Sequence, residues 1–150
     1  ENVEKLAIAI HDLYNKEQLA RNPNQKLEYP KFADLPESLK YSNLRQARDM
    51  VKKLRMIGCE MRPIGSKGEL VSSLDAADVE YLAQYEHDLW MNERIASGWT
   101  YGPVKDVEKK QSPYLVPYSE LTEEIKQLDR DTIYNIPELL KLIGMAVYQL

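Results

Sequence analysis

Apolar positions recur along this chain at helical spacing, interrupted by polar, proline-bearing stretches. Leu6, Ile10, Leu13 and Leu19 give Val3 to Ala20 one apolar side and predict a first helix. Residues 21–36 carry prolines and polar side chains and read as an extended loop. Asn43 is placed to cap a second helix, Leu44 to Ile57, with Leu44, Ala47, Val51 and Leu54 on one stripe, and Gly58 ends it. Cys59 to Ile64 reads as a short strand and Gly65 to Gly68 as a turn. Asp75 then offers a cap for a long helix, Ala76 to Ser97, followed by a loop from Trp99 to Pro113. Tyr114 to Tyr118 reads as extended. Leu121 to Leu128 and Ile136 to Ile143 read as helices, the second with Pro137 in its first turn. Gly144 closes that helix, and Met145 to Leu150 is a short strand candidate. The fold class expected is α+β, mainly α.

The two halves of the chain resemble each other. IHDLYNKEQLA at 10–20 aligns with EHDLWMNERIA at 86–96, which matches His11 with His87, Tyr14 with Trp90 and Glu17 with Glu93. FADLPESLK at 32–40 aligns with YSELTEEIK at 118–126, and Ile57-Gly58 with Ile143-Gly144. The second half carries about ten extra residues between its aligned blocks, around WTYGPVKD. Two helix–loop–helix–strand units are therefore expected, each with too little apolar surface to stand alone, packed about a pseudo-twofold axis as one domain. The first copy spans 1–64, a turn or linker 65–74, and the second copy 75–150.

Composition narrows the function classes. A hydrophobic share of 43% and a charged share of 29% are those of a folded chain, so disorder is excluded as the main state. A net charge of −4 argues against general affinity for nucleic acid or for an anionic membrane. No apolar run approaches a membrane span, and no signal peptide is expected. The single cysteine, Cys59, rules out an internal disulfide and reads as a core thiol. Because the chain begins at Glu1 rather than Met, a module of a longer parent protein is expected.

The stretch EHDLWMNERIASGWTYG at 86–102 holds both tryptophans and is the chemical centre of the sequence. Ala83, His87, Trp90 and Arg94 follow helical spacing and share one face; Ala7, His11, Tyr14 and Gln18 take the same places in the first copy. A small residue, an imidazole, a flat aromatic and a long polar group suit a purine platform, with stacking worth roughly 1–3 kcal/mol per base. They suit a core equally, with Trp90 as the central aromatic of its copy and His87 as a satisfied core histidine. Glu93 lies a turn below the platform and reads either as a hydrogen-bonding partner for a ribose or as an ordinary surface carboxylate. Trp99 and Tyr101, just past the Gly98 stop, are expected to pack back on the helix and pin the loop; they also border the candidate site. Lys105, Lys109 and Lys110 are placed to meet phosphates or to form a solvated charge cluster.

These residues resemble the ryanodine receptor repeat, or RyR domain. The resemblance rests on Glu86-His87-Asp88-Leu89-Trp90, on Gly98 to Asp106 (GWTYGPVKD), and on Pro113 to Tyr118 (PYLVPY) with Leu121 beyond. It covers 75–150 well and 1–64 only as a degenerate copy, in which Arg21-Asn22-Pro23-Asn24 replaces the GWTYG block. Ser112 is a second departure, where the family often has His before the proline. The resemblance implies a soluble, cytoplasmic, bacterial or phage-type member with two tandem repeats. It implies a sensor or binding module for a small-molecule ligand of adenine-nucleotide type, stacked on the helix tryptophan. The ligand-binding residues expected are His11, Tyr14, Gln18, His87, Trp90, Glu93, Arg94, Trp99, Tyr101 and Lys105. The alternative is a protein-interaction module that docks a protein partner, or another domain of its parent, through the corner 98–106.

Enzymatic readings are weak. The two His-Asp dipeptides, 11–12 and 87–88, bring to mind a metal phosphohydrolase, but such sites need more than two histidines. HExxH, paired cysteines, an EF-hand loop, GxxxxGK[ST] and GxGxxG are all missing from the sequence. No catalytic residue, metal ligand or cofactor is expected, and no nucleic-acid partner.

Overall fold

The computed structural model describes residues 2–150, and 57% of the chain is helical beside a small antiparallel sheet, an α+β fold that is mainly α. These residues divide into two compact units: residues up to Ser73 together with Ile136–Leu150, and Leu74–Asn135.

In the first unit, helix α1 (Asn2–Arg21) packs on α2 (Glu37–Met56), with a 3-10 turn at Phe32–Asp34 between them in sequence. The strands are β1 (Cys59–Pro63) and β2 (Leu70–Val71). Further along the chain, a short helix α5 (Ile136–Lys141) contacts α1 and leads into β5 (Met145–Gln149). Strand β5 is central in the order β1-β5-β2 and antiparallel to both neighbours, with Met61 opposite Val147 and Val71 opposite the same residue. Leu6, Ala7, Leu54, Leu140 and Val147 are fully buried. Cys59 is buried too, as expected of a core thiol.

The second unit is built on α3 (Ala76–Ala96) and α4 (Glu123–Tyr134). Strands β3 (Thr100–Tyr101) and β4 (Gln111–Ser112) form a small parallel pair, and a 3-10 turn runs over Tyr118–Glu120. Ala83 of α3 packs with Tyr118 and Leu121, with Val116 and Ile125 against them. Gly98 has φ +89° just past the end of α3, a left-handed conformation that a side chain resists. From there the Trp99 amide turns back to the Arg94 carbonyl at 2.9 Å.

Three boundaries differ from expectation, each for a local reason. Helix α2 starts at Glu37 rather than after Asn43. Pro36 occupies the cap position, and its carbonyl accepts from the Leu39 and Lys40 amides at 3.0 Å each. Asn43 sits inside the helix and donates to the Ala7 carbonyl of α1. Helix α4 starts later and runs on to Tyr134. Thr122 caps it by accepting from the Ile125 amide at 3.3 Å, and buried Ile133 anchors its last turn. The expected loop after Trp99 is held by backbone pairs, among them Thr100 N–H to the Lys110 carbonyl at 2.9 Å and a reciprocal pair between Asp106 and Gln111. Asp75 stands at the cap position of α3 without a side-chain cap bond.

Candidate functional site

Helices α1 and α3 each carry a buried histidine that is latched to a loop carbonyl. In the first unit, His11 Nε2 lies 2.8 Å from the Tyr29 carbonyl. In the second, His87 Nε2 lies 2.7 Å from the Val116 carbonyl. A carbonyl only accepts, so Nε2 carries the hydrogen in both rings. Each histidine also packs against an aromatic of the following 3-10 turn: His11 edge-on to Phe32 at 6.4 Å, and His87 tilted to Tyr118 at 6.2 Å between ring centroids.

The two latches differ in their support. Asn15 lies one turn beyond His11 and donates to the same Tyr29 carbonyl at 3.0 Å. At the second latch the bond shown to Val116 O is that of His87. Asn15 escaped the sequence reading because a buried asparagine at that spacing looks like any polar helix position; only the loop that folds over it reveals its task.

The expected platform residues fall into two groups. His11, Tyr14 and Gln18 line a cavity of about 510 Å³ within the first unit. Asn15, Gln25, Asn43 and Gln46 share its wall, which makes five amides with Gln18, and Lys26 and Glu28 bring one charge of each sign. Tyr14 is 57% exposed at this cavity. The Gln25 amide donates to the Gln18 carbonyl and so ties the loop to the end of α1.

His87 and Trp90 line a smaller cavity of about 190 Å³ within the second unit, with Glu86, Tyr114, Ile125 and Asp129. The His87 ring stacks on Trp90 at 5.7 Å and 30°. Along the face of α3 burial falls steadily: Ala83 is fully buried, His87 buried, Trp90 half-buried and Arg94 exposed. The Arg94 guanidinium lies 5.6 Å from the Trp90 ring centroid and 5.0 Å from that of Trp99. Trp99 thus folds back on α3 as expected. Tyr101 does not: it is 59% exposed, because its short strand pairs through backbone alone. Glu93 and Lys105 are exposed. Lys110 donates to the Ser97 carbonyl at 3.0 Å and closes the C-terminus of α3, a structural task for one member of the lysine cluster.

An ion cluster joins α3 to α4 in the second unit. Arg130 grips Glu80 through two nitrogens, at 2.6 and 3.2 Å, and reaches Glu123 at 3.0 Å. Hydrogen bonding from Arg130 holds both carboxyls below their ordinary range. Burial, and then the neighbouring Glu80 carboxylate, push the Tyr118 hydroxyl up to about 12.

Among the described residues, no group of three or more His, Cys, Asp or Glu is arranged to hold a metal ion, and no helix is long and apolar enough to cross a membrane. The helix–histidine–loop construction of the second unit and the strand β5 that follows it lie inside one matched segment. Residues 66–149, more than half of the chain, match the model of the RyR domain, and the chain belongs to the RyR domain family.

Proposed function

We propose that this chain is a non-catalytic ligand-sensing module in which the first-unit cavity takes a planar heteroaromatic group, such as the base of a purine nucleotide. The observation that carries this reading is the composition of that cavity: an exposed Tyr14 ring beside five side-chain amides in about 510 Å³. A phenol face offers stacking, and amides supply donors and acceptors for the edges of a base without demanding a charge. The volume lies within the usual range for small-molecule sites. The second-unit platform of His87, Trp90 and Arg94 is the weaker candidate for a whole nucleotide. Its cavity is smaller, and part of its Trp90 surface is already occupied by His87 and Arg94.

The two-repeat reading, with copies at 1–64 and 75–150 and a turn between them, belongs to the same proposal. It is supported by the paired histidine latches, the paired 3-10 turns, and the Gly58–β1 and Gly144–β5 exits. Membership of the RyR family favours a cytoplasmic binding role.

The test is a thermal-shift screen against adenine and guanine nucleotides, cyclic mono- and dinucleotides, and ADP-ribose derivatives. A ligand that binds the folded state alone stabilises by RT ln(1 + [L]/Kd), about 2.7 kcal/mol at a hundredfold excess. Tyr14→Ala should abolish the response while leaving the fold intact, since the ring is largely exposed. Normal binding by Tyr14→Ala would overturn the placement.

A second reading has its own observation. Tyr101, Val104 and Val107 are 59%, 70% and 67% exposed on the loop after α3, an apolar surface suited to a protein partner. It predicts no response across the nucleotide panel and partner-dependent protection of amides in 99–110 from hydrogen exchange.

A further inference from the structure

We propose that the ligand of the first-unit cavity is an uncharged aminopurine, a nucleoside or free base rather than a phosphorylated nucleotide. This inference rests on the reading of that cavity as a base site and names what the site accepts. Three of the five amides in its wall have already given a hydrogen to the backbone. Asn15 Nδ2 donates to the Tyr29 carbonyl at 3.0 Å, Asn43 Nδ2 to the Ala7 carbonyl at 3.4 Å, and Gln25 Nε2 to the Gln18 carbonyl. His11 directs its Nε2 hydrogen to the Tyr29 carbonyl as well. A carbonyl only accepts, so each of these amides is fixed with its nitrogen toward the chain.

The wall that results is richer in acceptors than in donors. The side-chain oxygens of Asn15, Gln25 and Asn43 keep their acceptor capacity, and Glu28 adds a carboxylate. Gln18 and Gln46 can serve either way and suit the ring nitrogens of a base. An exocyclic amino group brings two N–H donors and no charge, which answers such a wall. Beside Tyr14, the side chains of Ile10, Leu27 and Leu35 supply apolar contact for the ring faces.

Charge excludes the phosphates. Lys26 and Glu28 are the charged residues of the lining, both are exposed, and their charges cancel. Tight binding of a polyphosphate draws on several cations or charge-assisted donors. Here it meets one lysine, one carboxylate and amides whose donors are largely spent. A volume of about 510 Å³ is ample for a nucleoside without that tail.

The experiment is calorimetric titration of the full chain at low salt with adenosine, with purine riboside, which lacks the exocyclic amino group, and with ATP, which adds three phosphates to the same base. Adenosine should bind saturably. Purine riboside should bind about tenfold more weakly, the worth of the lost hydrogen bonds. ATP should bind at least about threefold more weakly than adenosine, and Glu28→Lys, a change at an exposed position, should raise ATP affinity at least about threefold while leaving adenosine unchanged. Purine riboside binding as well as adenosine, ATP binding as tightly as adenosine or tighter, or a Glu28→Lys protein with unaltered ATP affinity would each overturn this inference and leave the base site standing. No saturable response to any of the three, or binding that survives in Tyr14→Ala, would overturn the base site and this inference with it.

Discussion

The two buried histidines occupy matching places on two long helices, yet their surroundings have diverged. His11 shares its loop carbonyl with Asn15 and looks onto a cavity lined by amides with balanced charge. His87 holds the Val116 carbonyl and borders a smaller cavity with two carboxylates and two large aromatics. The latch is the common device: a ring nitrogen on a helix pins the loop that forms the cavity's other wall. What each cavity selects depends on its neighbours, and these are free to vary while the latch stays.

The largest effect expected from breaking this comparison comes from removing the latches. His87→Ala leaves the Val116 carbonyl without its donor and opens a void beside Trp90, at an expected loss of about 3 kcal/mol. His11→Ala should cost about half as much, because Asn15 still reaches the Tyr29 carbonyl. Denaturant unfolding of both variants measures the difference, and equal losses would show that Asn15 gives no support.

Gly102→Ala is next. A Cβ there would stand 2.8 Å from Gln111 Cβ and Oε1, so the loop that precedes Tyr114 must shift. A loss of about 1–2 kcal/mol is expected, together with a change in the Trp99 fluorescence. The first unit carries no counterpart of this loop, so no nearby position tests the same contact there.

A smaller effect separates the units by pH. Glu80 and Glu123 have folded-state values below the ordinary 4.5, so the stability they contribute is present above that pH and is lost as acid protonates them. Tyr118 has a folded value of about 12 against an ordinary 10.0, so its contribution is intact below pH 10 and is lost as the pH rises toward 12. Both tryptophans lie in the second unit, so their fluorescence follows its unfolding. Acid and alkaline limbs should appear there, and Arg130→Met should shrink the acid limb. The Glu80 side chain is 44% exposed, so the change should stay below about 1 kcal/mol.

The smallest effect expected is that of Tyr14→Ala on stability, within about 0.5 kcal/mol for a mostly exposed ring. Its value lies in the contrast with ligand binding, which the same change should remove.

Much of this was legible from residue order alone, because it depends on short-range periodicity. The helices follow from apolar spacing, and their ends at Gly58, Gly98 and Gly144 follow from glycine's tolerance of positive φ. The matching of His11 with His87 and of Tyr14 with Trp90 was visible by alignment, and the GWTYG block marked the family. Other features required the folded chain. Asn15 acquires its role from a loop 14 residues away, and Arg130 binds Glu80 across 50 residues of sequence. Strand β5 enters the middle of a sheet whose other strands come some 80 residues earlier, a pairing that no local pattern encodes. The exposure of Tyr101 was likewise a tertiary outcome, since its strand is held by backbone bonds that ask nothing of the ring. Local propensity and periodicity act between near neighbours and are written in the sequence. Which distant side chains meet around a cavity, and therefore its size and charge, is decided only when the elements pack.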